Sequence, residues 1–167
     1  MSESRRLIIL RHAKSSWDNP ADSDHQRPLN ARGRKVAPQM ADYLQQQGLV
    51  PQLVYCSSAL RARETVDLLL ANWAEPPTVE LRANLYLAPP ATYFELLGQV
   101  DGAIERIMLV GHNPGLETIA HNLMQRPESV PTAAVTVLQA NGGWSEIATR
   151  PQVIDCRVIR PKEVLSS

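Results

Sequence analysis

A three-layer α/β/α sandwich, its central sheet mostly parallel with an antiparallel element near the C-terminus, is the fold class that three features of the sequence predict. Leu7–Leu10 and Ile107–Val110 are unbroken apolar runs of the kind found in strands covered on both faces. Stretches with apolar residues at helical spacing lie between strand-like segments, the alternation that builds a layered α/β fold. Toward the C-terminus, Ala133–Leu138 and Trp144–Ala148 alternate around Asn141-Gly142-Gly143, which predicts an antiparallel hairpin. A length of 167 residues predicts one domain, residues 1–167, with a core of its own.

The first run stops abruptly at Arg11-His12, and a polar stretch, Lys14–Gln26, follows without apolar period. At about a dozen residues this is a long strand-to-helix connection, a length that often carries function. Arg27 at its end can fold back toward the first strand. Asn30 is placed to cap a helix with Val36, Met40 and Leu44 on one face, stopped by Gly48 and Pro51.

Gln52–Cys56 reads as a second strand. Ser57 and Ser58 then offer N-caps for a helix with Val66, Leu69, Leu70 and Trp73 along one stripe. Arg61 falls in the first turn of that helix, where free backbone N–H groups and the helix dipole favour an anion. Arg63, about 200° around the helix from it, points to solvent. Thr78–Leu81 reads as a weak third strand, and 84–90 as irregular. Thr92 and Glu95 match a capping box before a short helix burying Tyr93, Leu97 and Val100.

The second convincing strand, Arg106–Val110, ends in Gly111-His112-Asn113-Pro114-Gly115. Asn113 suits an N-cap and Pro114 the first position of a helix whose face carries Leu116, Ile119, Ala120, Leu123 and Met124. His112 therefore sits between a buried strand and a helix N-terminus, the same placement as His12. In an open α/β sheet, ligands bind beyond the carboxyl ends of the strands. Two imidazoles at equivalent strand ends, beside arginines, point to an anionic substrate. Val153–Ile159 either adds an edge strand or covers the core.

Composition narrows the partners. Seventeen basic residues balance seventeen acidic ones, which argues against general binding to nucleic acid or anionic membranes. The basic side chains are arginine apart from Lys14, Lys35 and Lys162, an excess that supplies the planar donors phosphate sites favour. Met1–Arg6 lead straight into a strand-like run and no apolar stretch is long enough to span a bilayer, so a cytoplasmic protein without a signal peptide is expected. Cys56 and Cys156 have no metal-ligand spacing and are expected to be reduced, buried thiols.

Four separated stretches, LRHAKSSW, RPLN with a nearby glycine, SSALRARET and GHNPGLE, resemble the histidine phosphatase superfamily with its phosphoglycerate-mutase-like fold. The likeness is greatest to phosphohistidine phosphatases of the SixA type and runs from about Arg6 to Met124. It implies a phosphate pocket of Arg11, His12, Arg27, Arg61 and His112. In that pocket His12 is the nucleophile, the three arginines hold the equatorial oxygens and His112 adds a further donor. Asn113 is a further candidate for substrate binding. The short chain agrees with the small members that lack a helical cap. The chemistry is sound on its own terms: phosphoryl transfer needs in-line placement and charge neutralisation, and neutral imidazole is a competent nucleophile. No metal or other cofactor is expected.

Two departures stand out. Ala13 occupies a place where many relatives have glycine. The larger relatives' glutamate acid has no counterpart in Leu81–Leu85, which leaves Asp18, Asp22 and Asp24 as substitutes or as plain loop carboxylates. The expected activity is hydrolysis of phosphohistidine on a signalling protein through a phosphohistidine enzyme intermediate. The alternatives are a phosphatase of small esters, such as sugar or nucleotide phosphates, and a non-catalytic phosphate-binding adaptor.

Overall fold

The computed structural model describes residues 4–165. Six strands form one sheet: β1 (Ser4–Arg11), β2 (Leu53–Ser57), β3 (Thr78–Arg82), β4 (Arg106–Gly111), β5 (Val135–Asn141) and β6 (Gln152–Ile159). Their spatial order is β3-β2-β4-β1-β5-β6. β1, β2, β3 and β4 run parallel, whereas β5 is antiparallel to β1 and β6 antiparallel to β5. The helices are α1 (Ala31–Gln46), α2 (Leu60–Asn72), α3 (Pro90–Leu97), α4 (Gly115–Met124), α5 (Trp144–Thr149) and the single turn α6 (Pro161–Val164).

The apolar runs of β1 and β4 alternate between two cores, as the pleat requires. Ile8, Leu10, Met108 and Val110 face α1 and α2, against Met40, Leu44, Val66 and Leu69. Leu7, Ile9, Ile107 and Leu109 face the opposite layer, against Tyr93, Leu97, Leu116 and Ile119. This is the expected three-layer sandwich, and both strands are buried because both faces are covered.

The cap of α1 is as expected, since the Asn30 side chain accepts from the Gly33 amide at 2.8 Å. Gly48 has a φ of +69° just past that helix, the left-handed stop a glycine supplies. Other helix starts differ from expectation. α2 begins after Ala59 with no side-chain cap, because the Ser57 hydroxyl serves the Ala59 amide from within the turn and also bonds a histidine. α3 begins at Pro90, ahead of the Thr92 and Glu95 pair, because a proline needs no amide partner in a first turn. α4 begins at Gly115, one residue later than Asn113 and Pro114 suggest. The Asn113 side chain nevertheless accepts from the Glu117 amide at 3.2 Å.

The largest correction concerns the C-terminal hairpin. Residues 144–149 form α5, not a strand, and β5 pairs with β6 beyond it. Gly142 turns the chain with a φ of +92°, and the Gly143 amide bonds the Glu146 carboxylate at 3.4 Å. Trp144 and Ile147, three apart, then pack into one core. Val153–Ile159 is thus an edge strand. Both cysteines are free, Cys56 buried as expected and Cys156 only half-buried.

Candidate functional site

Adjacent parallel strands deliver the two histidines to one place. In the β1–β4 register Arg11 lies opposite Gly111, so His12 and His112 leave the same sheet edge side by side. Their ring centroids are 5.1 Å apart. On the far side of β4, β2 ends at Ser57, and α2 then carries Arg61 into the same space. The result is a cavity of about 380 Å³ at the carboxyl ends of the parallel strands, lined by Arg11, His12, Asp24, Arg27, Arg61 and His112.

Hydrogen bonding fixes the state of His12. Its Nδ1 lies 2.7 Å from the Ala13 carbonyl, which can only accept, so Nδ1 carries the proton. Nε2 therefore keeps its lone pair, and Arg61 Nε donates to it at 3.3 Å. Burial, reinforced by the charges of Arg61, Arg11 and Arg27, lowers the His12 pKa to about 3. The ring is neutral at physiological pH. Ala13 is fully buried, and its amide donates to Thr65 Oγ1, so the methyl group is accommodated and the loop after His12 is tied to α2.

His112 is held from both sides. Arg61 donates to its Nδ1 at 3.3 Å, and its Nε2 lies 2.7 Å from the Ser57 hydroxyl. Burial lowers its pKa to about 3, with His12 and Arg61 adding to the effect. Tyr93 Oη accepts from the His112 amide at 3.2 Å. Gly111 makes this possible, because a Cβ there would lie 2.0 Å from that oxygen.

Arg61 is 3% exposed and is the hub of the site: besides both histidines it bonds the Asp24 carbonyl at 2.6 Å and the Asp24 carboxylate at 3.1 Å. Arg27 reaches the other Asp24 oxygen at 3.2 Å and Ser15 Oγ at 2.7 Å, and its guanidinium stacks 3.5 Å from the Trp17 ring. Arg11 donates to the Val130 carbonyl at 3.1 Å, and its Nε is buried without an acceptor. Asn113 lines the cavity, but its amide group donates to Glu117 at 2.7 Å and to the Val130 carbonyl at 3.0 Å. It thereby steadies the segment that holds Arg11. Arg63 stays outside the cavity and bonds the Ser58 carbonyl, so it is half-buried rather than fully solvated.

Of the three loop carboxylates only Asp24 enters the cavity, brought in by a short 3-10 turn at Asp24–Gln26. Asp18 is exposed, and Asp22 bonds Asn19. Partial burial opposes ionisation of Asp24. The hydrogen bond from Tyr86 and the charge and hydrogen bonds of Arg61 and Arg27 outweigh it and hold the pKa at about 2. Tyr86 stands edge-on to both His25 and His112. Sequence reasoning passed over Tyr86, Ser57 as a histidine partner, and Thr65. The only available signal was position: Thr65 lies one helical turn beyond Arg61. At the mouth, Trp17 is 75% and Leu87 52% exposed, and Leu87 takes a φ of +51°, an uncommon conformation for a leucine. Among the described residues no cluster of acidic, histidine or cysteine side chains is arranged to hold a metal ion.

Comparison with known proteins gives this geometry a class. Residues 7–85 match the histidine phosphatase superfamily (branch 1). An uncharacterized chloroplastic protein of Arabidopsis thaliana is 35% identical over 87% of this chain and 71% of its own length. An uncharacterized protein of Mycobacterium tuberculosis is 30% identical over 83% of this chain and 91% of its own. In structure, the protein assigned as the phosphohistidine phosphatase SixA of Agrobacterium tumefaciens is 28% identical. It superposes with a TM-score of 0.76 over 92% of this chain and 97% of that one. A protein histidine phosphatase SixA complexed with tungstate shares the fold at 20% identity, with a TM-score of 0.78 over 95% of this chain and 99% of that one. The chain belongs to the histidine phosphatase superfamily and is a phosphatase, so its substrate carries a phosphoryl group. Within that superfamily it resembles the SixA type. Among the described residues, no helix is long and apolar enough to cross a membrane.

Proposed function

We propose that the protein is a phosphohistidine phosphatase acting on a histidine-phosphorylated protein, with His12 as nucleophile. The observation that carries this reading is the His12 tautomer: Nδ1 is bound to the Ala13 carbonyl, and a neutral, unprotonated Nε2 faces the arginine-lined cavity. Nε2 attacks phosphorus while the bond to the substrate imidazole nitrogen breaks and that imidazole departs. Water then attacks the phosphorus on His12, the P–N bond breaks, and phosphate leaves with the ring neutral again. Arg11, Arg27 and Arg61 hold the equatorial oxygens. Arg11 lines the cavity, and its Nε has no acceptor among the described residues, which supports this role.

His112 serves as an additional donor through Nδ1, which faces Arg61. For this the Ser57 hydroxyl, able to donate as well as accept, turns its proton toward Nε2 and lets the ring change tautomer. Asp24 is ionised and braced by two arginines, so it holds no proton for a leaving group. That favours phosphoramidates. Protonated phosphoimidazole releases neutral imidazole, whereas an alkoxide needs an acid whose contribution is typically about 10²–10⁴-fold. Exposed Trp17 and Leu87 at the mouth suit a side chain presented by another protein.

The test is a rate comparison on a phosphohistidine protein, a series of aryl phosphates and an alkyl phosphate. Rates on oxygen esters are expected to fall steeply as the leaving group's pKa rises, with the phosphohistidine protein turned over fastest. Fast turnover of sugar phosphates with a flat dependence would replace this reading with a small-ester phosphatase.

A further inference from the structure

A second, larger cavity of about 510 Å³ adjoins the catalytic one, and Lys14 and Thr132 line both. Its other cations are Arg32, Arg160 and Lys162, and among the described residues Glu163 supplies the one carboxylate that lines it. Arg160 is already engaged with Glu128, Glu163 and the Ser129 carbonyl. Lys14, Arg32 and Lys162 are exposed, and none has an acidic partner among the described residues. The chain as a whole is neutral, so among the described residues this is a local concentration of cations and not a share of a general surplus. The lining between the cations is apolar, with Val36, Pro131 and Pro161.

We propose that this groove docks an acidic segment, with interspersed apolar side chains, that flanks the phosphorylated residue of a protein substrate. The proposal rests on the phosphohistidine-protein reading and adds how such a protein is held. Continuity with the catalytic cavity places the flanking chain within reach when the phosphoryl group is seated. The apolar lining accepts short side chains between the charged ones. Among the described residues no aromatic side chain lines the groove for a base to stack on, which favours a peptide over a single-stranded nucleic acid.

The test uses the full chain and two labelled peptides of equal length, one alternating Glu with Leu and one with Gln for Glu, read by fluorescence anisotropy. The acidic peptide is expected to bind about tenfold more tightly at low salt, and the preference to disappear in the Arg32→Glu, Lys162→Glu double variant. Both residues lie outside the catalytic cavity, so turnover of a small aryl phosphate stays unchanged and reports an intact fold. On phosphohistidine peptides, acidic flanks should lower KM in the wild type and not in the variant. Equal affinity for the two peptides, binding retained in the variant, or a preference for an oligonucleotide would overturn the groove assignment. Acidic-peptide binding without phosphohistidine turnover would uphold the groove and defeat the substrate reading instead.

Discussion

At the scale of single residues, the proposed chemistry depends on two imidazoles kept neutral and pointed. His12 is oriented by a backbone carbonyl and His112 by a serine hydroxyl, and burial among guanidinium groups suppresses protonation of both. Their pKa values, about 3, lie below the ordinary 6.5, so the folded state refuses protons that the unfolded chain accepts. Their neutral forms therefore stabilise the fold fully above pH 6.5. That contribution is lost as the pH falls from there toward 3, at an order of 1 kcal/mol per histidine per pH unit. Imidazole NMR signals of His12 and His112 are expected to stay flat from pH 8 to 5, while the denaturation midpoint drops over pH 6 to 4. Titration of either ring near 6.5 would mean that burial among the guanidinium groups does not govern it. The two histidines, Arg11 and Arg61 were legible in the sequence because each sits at a strand end or helix start beside other donors, whereas Arg27, at the end of a polar loop, was singled out only by the family resemblance. Tyr86, Ser57 and Thr65 were not, since a neutral hydroxyl takes its role from neighbours distant in the chain. Among three equivalent loop aspartates, only the 3-10 turn singles out Asp24.

At the scale of elements, the site is a junction of strand ends locked by helices. Gly33, in the first turn of α1, lies so close to the loop after His12 that a Cβ would stand 2.2 Å from the Lys14 carbonyl oxygen. That oxygen accepts from the Asn30 amide, so α1 and the catalytic loop share backbone contacts. Gly33→Ala is expected to destabilise the fold by about 1–3 kcal/mol through overpacking. By moving the loop, it should also lower kcat for every phosphate ester by a similar factor. A chemical melt together with aryl phosphate kinetics checks both, and an unchanged kcat would show that the loop is positioned without α1. Strands β1 and β4 and helix α1 follow directly from apolar period and capping. At residues 144–149 the strand reading fails because Trp144-Ser145-Glu146-Ile147-Ala148 breaks the alternation at Glu146, while Trp144 and Ile147 form a helical i, i+3 pair. Tertiary demand favours the helix. The Trp144 indole reaches the Ile104 carbonyl at 2.7 Å, and a helix places it there.

At the scale of the whole molecule, the sheet order puts β1 and β4 at its centre, where both faces are covered. The proposed catalytic cavity opens at the carboxyl edge of that centre, and the cationic groove continues from it along the side formed by α1 and the α6 turn. A two-histidine centre beside the proposed docking groove suits the proposed hydrolysis of phosphoryl groups presented on large partners, which brings the substrate's bulk to the protein's surface. The proposed mechanism requires transfer of the phosphoryl group to His12. Rapid quenching in alkali during turnover, followed by peptide mass spectrometry, tests that directly. The expected result is an acid-labile, alkali-stable phosphoryl group on His12 that is absent in His12→Ala, a variant without turnover. Turnover with no label on His12, or the label on another residue, would contradict it.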